Sequence, residues 1–136
     1  SALHEVAHWC LAGRQRRLLD DYGYWYLPAR NAAQQAAFEA VEARPQALEA
    51  LFAEAAGVDF QVSSDDVASL PSPAFKARVA AERRLIEQQL PVRARCFLAA
   101  LKGANALIAP TAARTASVTA SGTVSQSVAG SRTVNA

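Results

Sequence analysis

His4-Glu5-Val6-Ala7-His8-Trp9 has the form H-E-x-x-H and contains the only two histidines of the 136-residue chain. On a helix turning about 100° per residue, positions i and i+4 share one face, so both imidazoles can reach one metal ion. Glu5 stands beside them as a supporting group, a base or an additional ligand. The motif specifies a metal before it specifies a reaction. Zinc hydrolases carry it, and two histidines with one carboxylate also form the facial triad of non-haem iron(II) oxygenases. Leu3, Val6, Ala7, Trp9, Leu11 and Ala12 make this helix apolar on most sides. Histidines in such a segment need partners, which a metal supplies to both at once and backbone carbonyls supply otherwise.

A carboxylate on a second helix is the usual completion of such a pair. Asn31 can cap a helix running from about Ala32 to Ala56 and ending at Gly57, with Phe38, Val41, Leu48, Leu51 and Phe52 as its apolar stripe. Pro45 lies inside it and predicts a kink or break near Glu42 to Arg44. Glu42 is the favoured third ligand and Glu39, three residues earlier, the alternative; Gln46 lies one turn beyond Glu42.

Between these helices, Gly13 interrupts the first. Arg14 to Asp20 then resumes as a short basic helix with Leu18 and Leu19 turned inward. Arg14, Arg16 and Arg17 read as a solvated face, or less simply as a contact for an acidic or phosphate-bearing partner. Tyr22, Tyr24, Trp25 and Tyr26 form an extended aromatic segment stopped by Pro28. They read as core and rim packing on the metal helix, and also as a wall of the site, where aromatic faces suit a long cationic side chain. Beyond Gly57, Val58 to Val62 reads as extended and Ser63 to Pro73 as a polar loop, with Asp65 and Asp66 as turn or cap residues. Pro73 opens a helix to about Leu90 with Phe75, Val79, Leu85 and Ile86 buried. Arg93 to Lys102 makes a last helix carrying Phe97, Leu98 and Leu101.

From Ala104 the chain is dominated by Ala, Ser, Thr, Val and Gly, with no aromatic or acidic residue. That composition predicts a disordered tail over 104–136 behind a metal-binding domain over 1–103. A metal helix three residues from the start of the chain would fray, which implies further sequence upstream. The formal net charge of +2 makes no strong electrostatic claim on nucleic acid or membrane. No run reads as a membrane span or a secretory signal. Cys10 and Cys96 read as reduced thiols of a cytoplasmic protein.

Several spaced blocks together resemble the elongation factor P hydroxylases of bacteria. They are H-E-V-A-H-W-C-L-A-G at His4 to Gly13, D-Y-G-Y-W-Y at Asp21 to Tyr26, F-E-A-V-E-A-R-P-Q-A-L-E-A-L-F at Phe38 to Phe52, and A-A-G-V-D-F-Q-V-S at Ala55 to Ser63. A weaker echo runs from Phe75 to Leu101, so the likeness covers roughly Ser1 to Lys102. The resemblance implies an iron(II) enzyme that uses molecular oxygen to hydroxylate the β-lysylated lysine of elongation factor P. It also implies a 2-His-1-carboxylate site at His4, His8 and Glu42, supported by Glu5; the aromatic wall read from the residues themselves would place Tyr24, Trp25 and Tyr26 at the substrate. The family's fold is an α+β arrangement similar to a metal-dependent endoribonuclease. This chain would then be its mainly α remnant, lacking N-terminal strands. The rival readings are a zinc-dependent hydrolase in which Glu5 activates water, and an inactive fragment of a hydroxylase. The electron donor has no signature in the sequence.

Overall fold

The computed structural model describes residues 1–23, 30–64 and 70–108. Four α-helices make up the described structure: α1 (Ala2–Leu11), α2 (Ala32–Ala56), α3 (Pro73–Gln88) and α4 (Val92–Ile108). Two 3-10 turns, Arg16–Leu18 and Asp20–Gly23, follow α1, and no strand occurs among the described residues.

Helix α2 is the axis of the fold, with α1, α3 and α4 all packed on it and α1 also meeting α4. Its limits follow from local chemistry. The Asn31 side chain accepts from Gln34 N while the Gln34 side chain accepts from Asn31 N, a reciprocal cap. At the other end Gly57 takes φ +70°, and its N–H bonds back to the last turn. The expected break at Pro45 does not occur, because α2 runs unbroken through it. Proline there leaves the carbonyl of Val41 without its helical donor, and Val41 is an exposed residue of the helix.

Because neighbours surround it, α2 buries two faces. Leu48, Leu51 and Phe52 join Ala7 and Cys10 of α1, Ile86 of α3 and Ala94 of α4 in the main core. Ala43 and Ala47 face Phe75 and Val79 in a second cluster. Alanine at these positions lets α1, α3 and α4 approach closely, while Phe52 fills the centre with its ring edge-on to Phe97 at 4.8 Å. The segment after α2 is tied back by Gln46, whose side chain donates to Ser63 O at 2.8 Å and accepts from Ser63 N at 3.0 Å. Arg30 donates to Ser64 O while lying over the Phe38 ring.

Four apolar residues expected inside lie outside. Leu18 and Leu19 are exposed because the chain after Gly13 forms a 3-10 turn rather than a resumed α-helix. Val41 and Leu85 are exposed because α2 and α3 turn other residues toward their neighbours. Helix α4 continues past Gly103 to Ile108, and Asn105 packs against Gly57 at the end of α2. The run 104–108 is thus helical where a disordered tail was expected, since Ala104, Ala106 and Leu107 suit a helix begun earlier. The remaining tail, 109–136, lies outside the described residues, as do Asp65 and Asp66. Cys10 and Cys96 are free thiols. No described helix is long and apolar enough to cross a membrane.

Candidate metal centre

Helix α1 presents His4 and His8 to α2, and Glu42 of α2 meets them. His4 Nε2 lies 3.0 Å from His8 Nε2. Glu42 reaches both, with Oε2 at 3.3 Å from His4 Nε2 and Oε1 at 3.3 Å from His8 Nε2. These three side chains converge as a group able to hold a metal ion. Ligands bound at about 2.1 Å and subtending 90–109° stand about 3.0–3.4 Å apart, so the observed separations suit a facial donor set.

The cluster sits where the core would otherwise reject charge. Glu42 is 2 % exposed and His8 4 %. Burial pushes the Glu42 carboxyl upward, but hydrogen bonds from His4 and His8 outweigh it and hold the group down at about 2. His4 shows the reverse balance. Burial lowers its pKa, while Glu42 and a second acid, Glu49, lift it to about 9 in the absence of metal.

Glu49 is the site residue that sequence reading missed. Its Oε2 lies 2.8 Å from His4 Nδ1, and its Oε1 accepts from Ser1 Oγ at 2.6 Å. A hydrogen on Nδ1 bound to Glu49 leaves the Nε2 lone pair of a neutral His4 facing Glu42 and His8, the arrangement in which histidine ligates metals. The available signal was spacing: Glu49 is two turns beyond Glu42 and shares its face of α2. Ser1 also caps α1, its side chain accepting from His4 N at 3.3 Å.

His8 is oriented by Tyr22, whose ring lies parallel to the imidazole with centroids 5.9 Å apart. Asp21, Tyr22 and Gly23 are three successive residues at positive φ, of 46°, 57° and 73°. The first two are strained for L-residues. The C-terminal end of α1 is held by Arg17 and Arg93, which donate to Ala12 O at 2.7 Å each, and Arg93 also reaches Cys10 O. Cations at this end complement the helix dipole and fix the direction in which the histidines point.

Glu39 is not part of the cluster; its carboxylate accepts from Gln35 at 3.2 Å. Gln46 serves Ser63 rather than the histidines directly. Glu5 is exposed and also stands outside the three converging groups. Tyr24, Trp25 and Tyr26 lie outside the described residues. Two openings flank the centre. A pocket of about 290 Å³ on the His4 side is lined by Glu42, Gln46, Glu49, Gln61 and Ser63. A cleft of about 710 Å³ opens at His8.

The family model for elongation factor P hydroxylase matches residues 1–112, most of the chain and all of the cluster. The chain belongs to the elongation factor P hydroxylase family. A relative from Haemophilus influenzae, elongation factor P lysine hydroxylase, is 45% identical over 105 residues, which are 74% of this chain and 59% of that protein. The chain therefore spans about three-fifths of that hydroxylase. No solved structure matches.

Proposed function

We propose that this chain carries the catalytic centre of a hydroxylase acting on the β-lysylated lysine of elongation factor P in the cytoplasm, with iron(II) held by His4, His8 and Glu42. The observation that carries the reading is the convergence of two imidazole Nε2 atoms and one buried carboxylate at 3.0–3.3 Å, in a chain of this family. Iron(II), when bound, supplies the activation of molecular oxygen, and zinc is the alternative ion for the same donors. Inserting one oxygen atom into a C–H bond and reducing the other to water takes two electrons and two protons from a donor. Glu42 and Glu49 together carry two negative charges, matching a divalent cation. Glu49 holds the His4 tautomer, Tyr22 fixes the plane of His8, and Glu5 supports α1 from its exposed face. The pocket on the His4 side offers acceptors in Gln46, Glu49, Gln61 and Ser63 to a cationic side chain, with Tyr24, Trp25 and Tyr26 as further substrate contacts. The same reading makes these helices the helical part of an α+β domain, whose strands belong to the portion of the relative that this chain does not span. It involves no nucleic acid or membrane.

The test is mass spectrometry of purified elongation factor P, with and without the β-lysyl group, after incubation with the protein, iron(II), oxygen and a reductant. Gain of one oxygen atom on the β-lysylated form only, with iron but not zinc, is the expected result. No gain with any metal would refute the reading. Zinc-dependent peptide hydrolysis abolished by Glu5→Gln would establish the hydrolase reading instead.

A further inference from the structure

The larger cleft has no part in the hydroxylase reading, and its chemistry is opposite to that of the His4 pocket. Arg14, Arg16, Arg17, Arg44 and Arg93 line it beside His8, with no aspartate or glutamate among the lining residues. Five of the chain's 14 basic residues are gathered in one concavity, although the formal net charge is only +2. Arg14, Arg17, Arg44 and Arg93 form no ion pair among the described residues.

Two of these guanidinium groups are set in place beforehand. Arg17 and Arg93 are held by the carbonyls at the end of α1, and Arg93 also by the Trp9 ring beneath it, rather than by carboxylates. Arg93 Nε is buried without an acceptor, the one such side-chain atom among the described residues, and a buried donor of this kind calls for an explanation. Arg93 also sits in the first turn of α4, the positive end of that helix dipole.

The geometry points to a binding site for a small organic anion carrying two or more carboxylate or phosphate groups. Guanidinium forks match the planar oxygen pairs of carboxylates and the oxygens of phosphates. The arginines come from three elements, the segment after α1, α2 and α4, so a single anionic group would leave most of them unmet. Leu11, Val41 and Pro45 supply apolar wall for a carbon skeleton, which accounts for the exposure of Val41. The volume lies within the range of small-molecule sites, about 300–1,000 Å³. A cationic lysine derivative is repelled by this cleft, which leaves it the pocket on the His4 side. The inference does not depend on the hydroxylase reading.

Isothermal titration of the full chain at low ionic strength, with and without bound metal, tests it. The probes are tricarballylate, inorganic phosphate and, as the single-charge control, acetate. Saturable one-to-one binding of tricarballylate is expected, weakened about tenfold or more by Arg44→Glu and by Arg14→Glu. Both residues are exposed, so circular dichroism should confirm retained helix in each variant. Arg84→Glu, an exposed change on α3 away from the cleft, should leave binding as in the parent. Inorganic phosphate, a single group, bound more tightly than tricarballylate would overturn the requirement for two or more anionic groups. Equal affinity in the parent and Arg44→Glu, or acetate binding as tightly as tricarballylate, would overturn the proposal. So would failure of every small anion while poly-glutamate binds in an Arg44-dependent way, because the cleft would then be a docking surface for an acidic protein segment.

Discussion

Glu49 is separated from the His4 Nε2 lone pair by the imidazole ring, yet its removal is expected to weaken metal binding at the candidate centre. The carboxylate accepts the Nδ1 hydrogen of His4 at 2.8 Å and is 13 % exposed, so solvent screens the interaction only in part. Loss of a group that orients a ligating histidine typically costs 10–100-fold in metal affinity, about 1.4–2.7 kcal/mol. Glu49→Gln keeps an acceptor but loses its charge, and a neutral hydrogen bond is roughly half as strong as a charge-assisted one. It should therefore fall near the tenfold end, and Glu49→Ala, which also removes the acceptor of the Ser1 hydroxyl, near the hundredfold end. Competition against a chelator of known affinity, under anaerobic conditions for iron(II), reads both values. Parent-like affinity in Glu49→Ala would refute the argument that this carboxylate sets the His4 tautomer.

Three further outcomes follow from the same contacts. Without metal, the lowered Glu42 pKa gives stability that is present above about pH 4.5 and lost as pH falls through about 2. The raised His4 pKa gives stability that is complete below 6.5 and lost as pH rises through about 9. Both describe one interaction, so urea midpoints in chelator should show a single plateau between these limits; bound metal, by displacing the proton, should remove the alkaline fall, and a flat metal-free profile would contradict the ion pairing. Phe52→Ala should cost about 3–5 kcal/mol in chemical unfolding, since the ring is fully buried against Phe97 at the junction of α1, α2 and α4; a loss under about 1 kcal/mol would contradict that packing. Gly57→Ala should destabilise by about 1 kcal/mol or more, because φ is +70° there and the added Cβ would lie 3.1 Å from the Asn105 side chain; an unchanged midpoint would contradict the left-handed cap.

What was legible in the sequence was local. Asn31 and Gly57 bound α2 through capping chemistry that involves only neighbouring residues, and Pro73 opens α3 in the same local way. The pairing of His4 with His8 follows from one helical turn. That Glu42 rather than Glu39 meets them depends on how α1 crosses α2, a contact between residues some forty positions apart. Spacing narrowed that choice without deciding it. Glu49 was missed although it stands two turns from Glu42, because its role needed the Nδ1 edge of His4 as a reference. Leu18, Leu19, Val41 and Leu85 were misplaced because hydropathy states a preference, whereas burial requires a neighbour at that face. The arginine cleft was read as three solvated cations after α1; Arg44 and Arg93 join them only in three dimensions.

Whether His4, His8 and Glu42 act as one ligand set is tested most directly by anaerobic titration with iron(II). The parent should bind one equivalent tightly, His4→Ala and Glu42→Ala should abolish it, and Glu39→Ala should bind as the parent does. Tight stoichiometric binding that survives Glu42→Ala, or no saturable binding by the parent, would contradict the account.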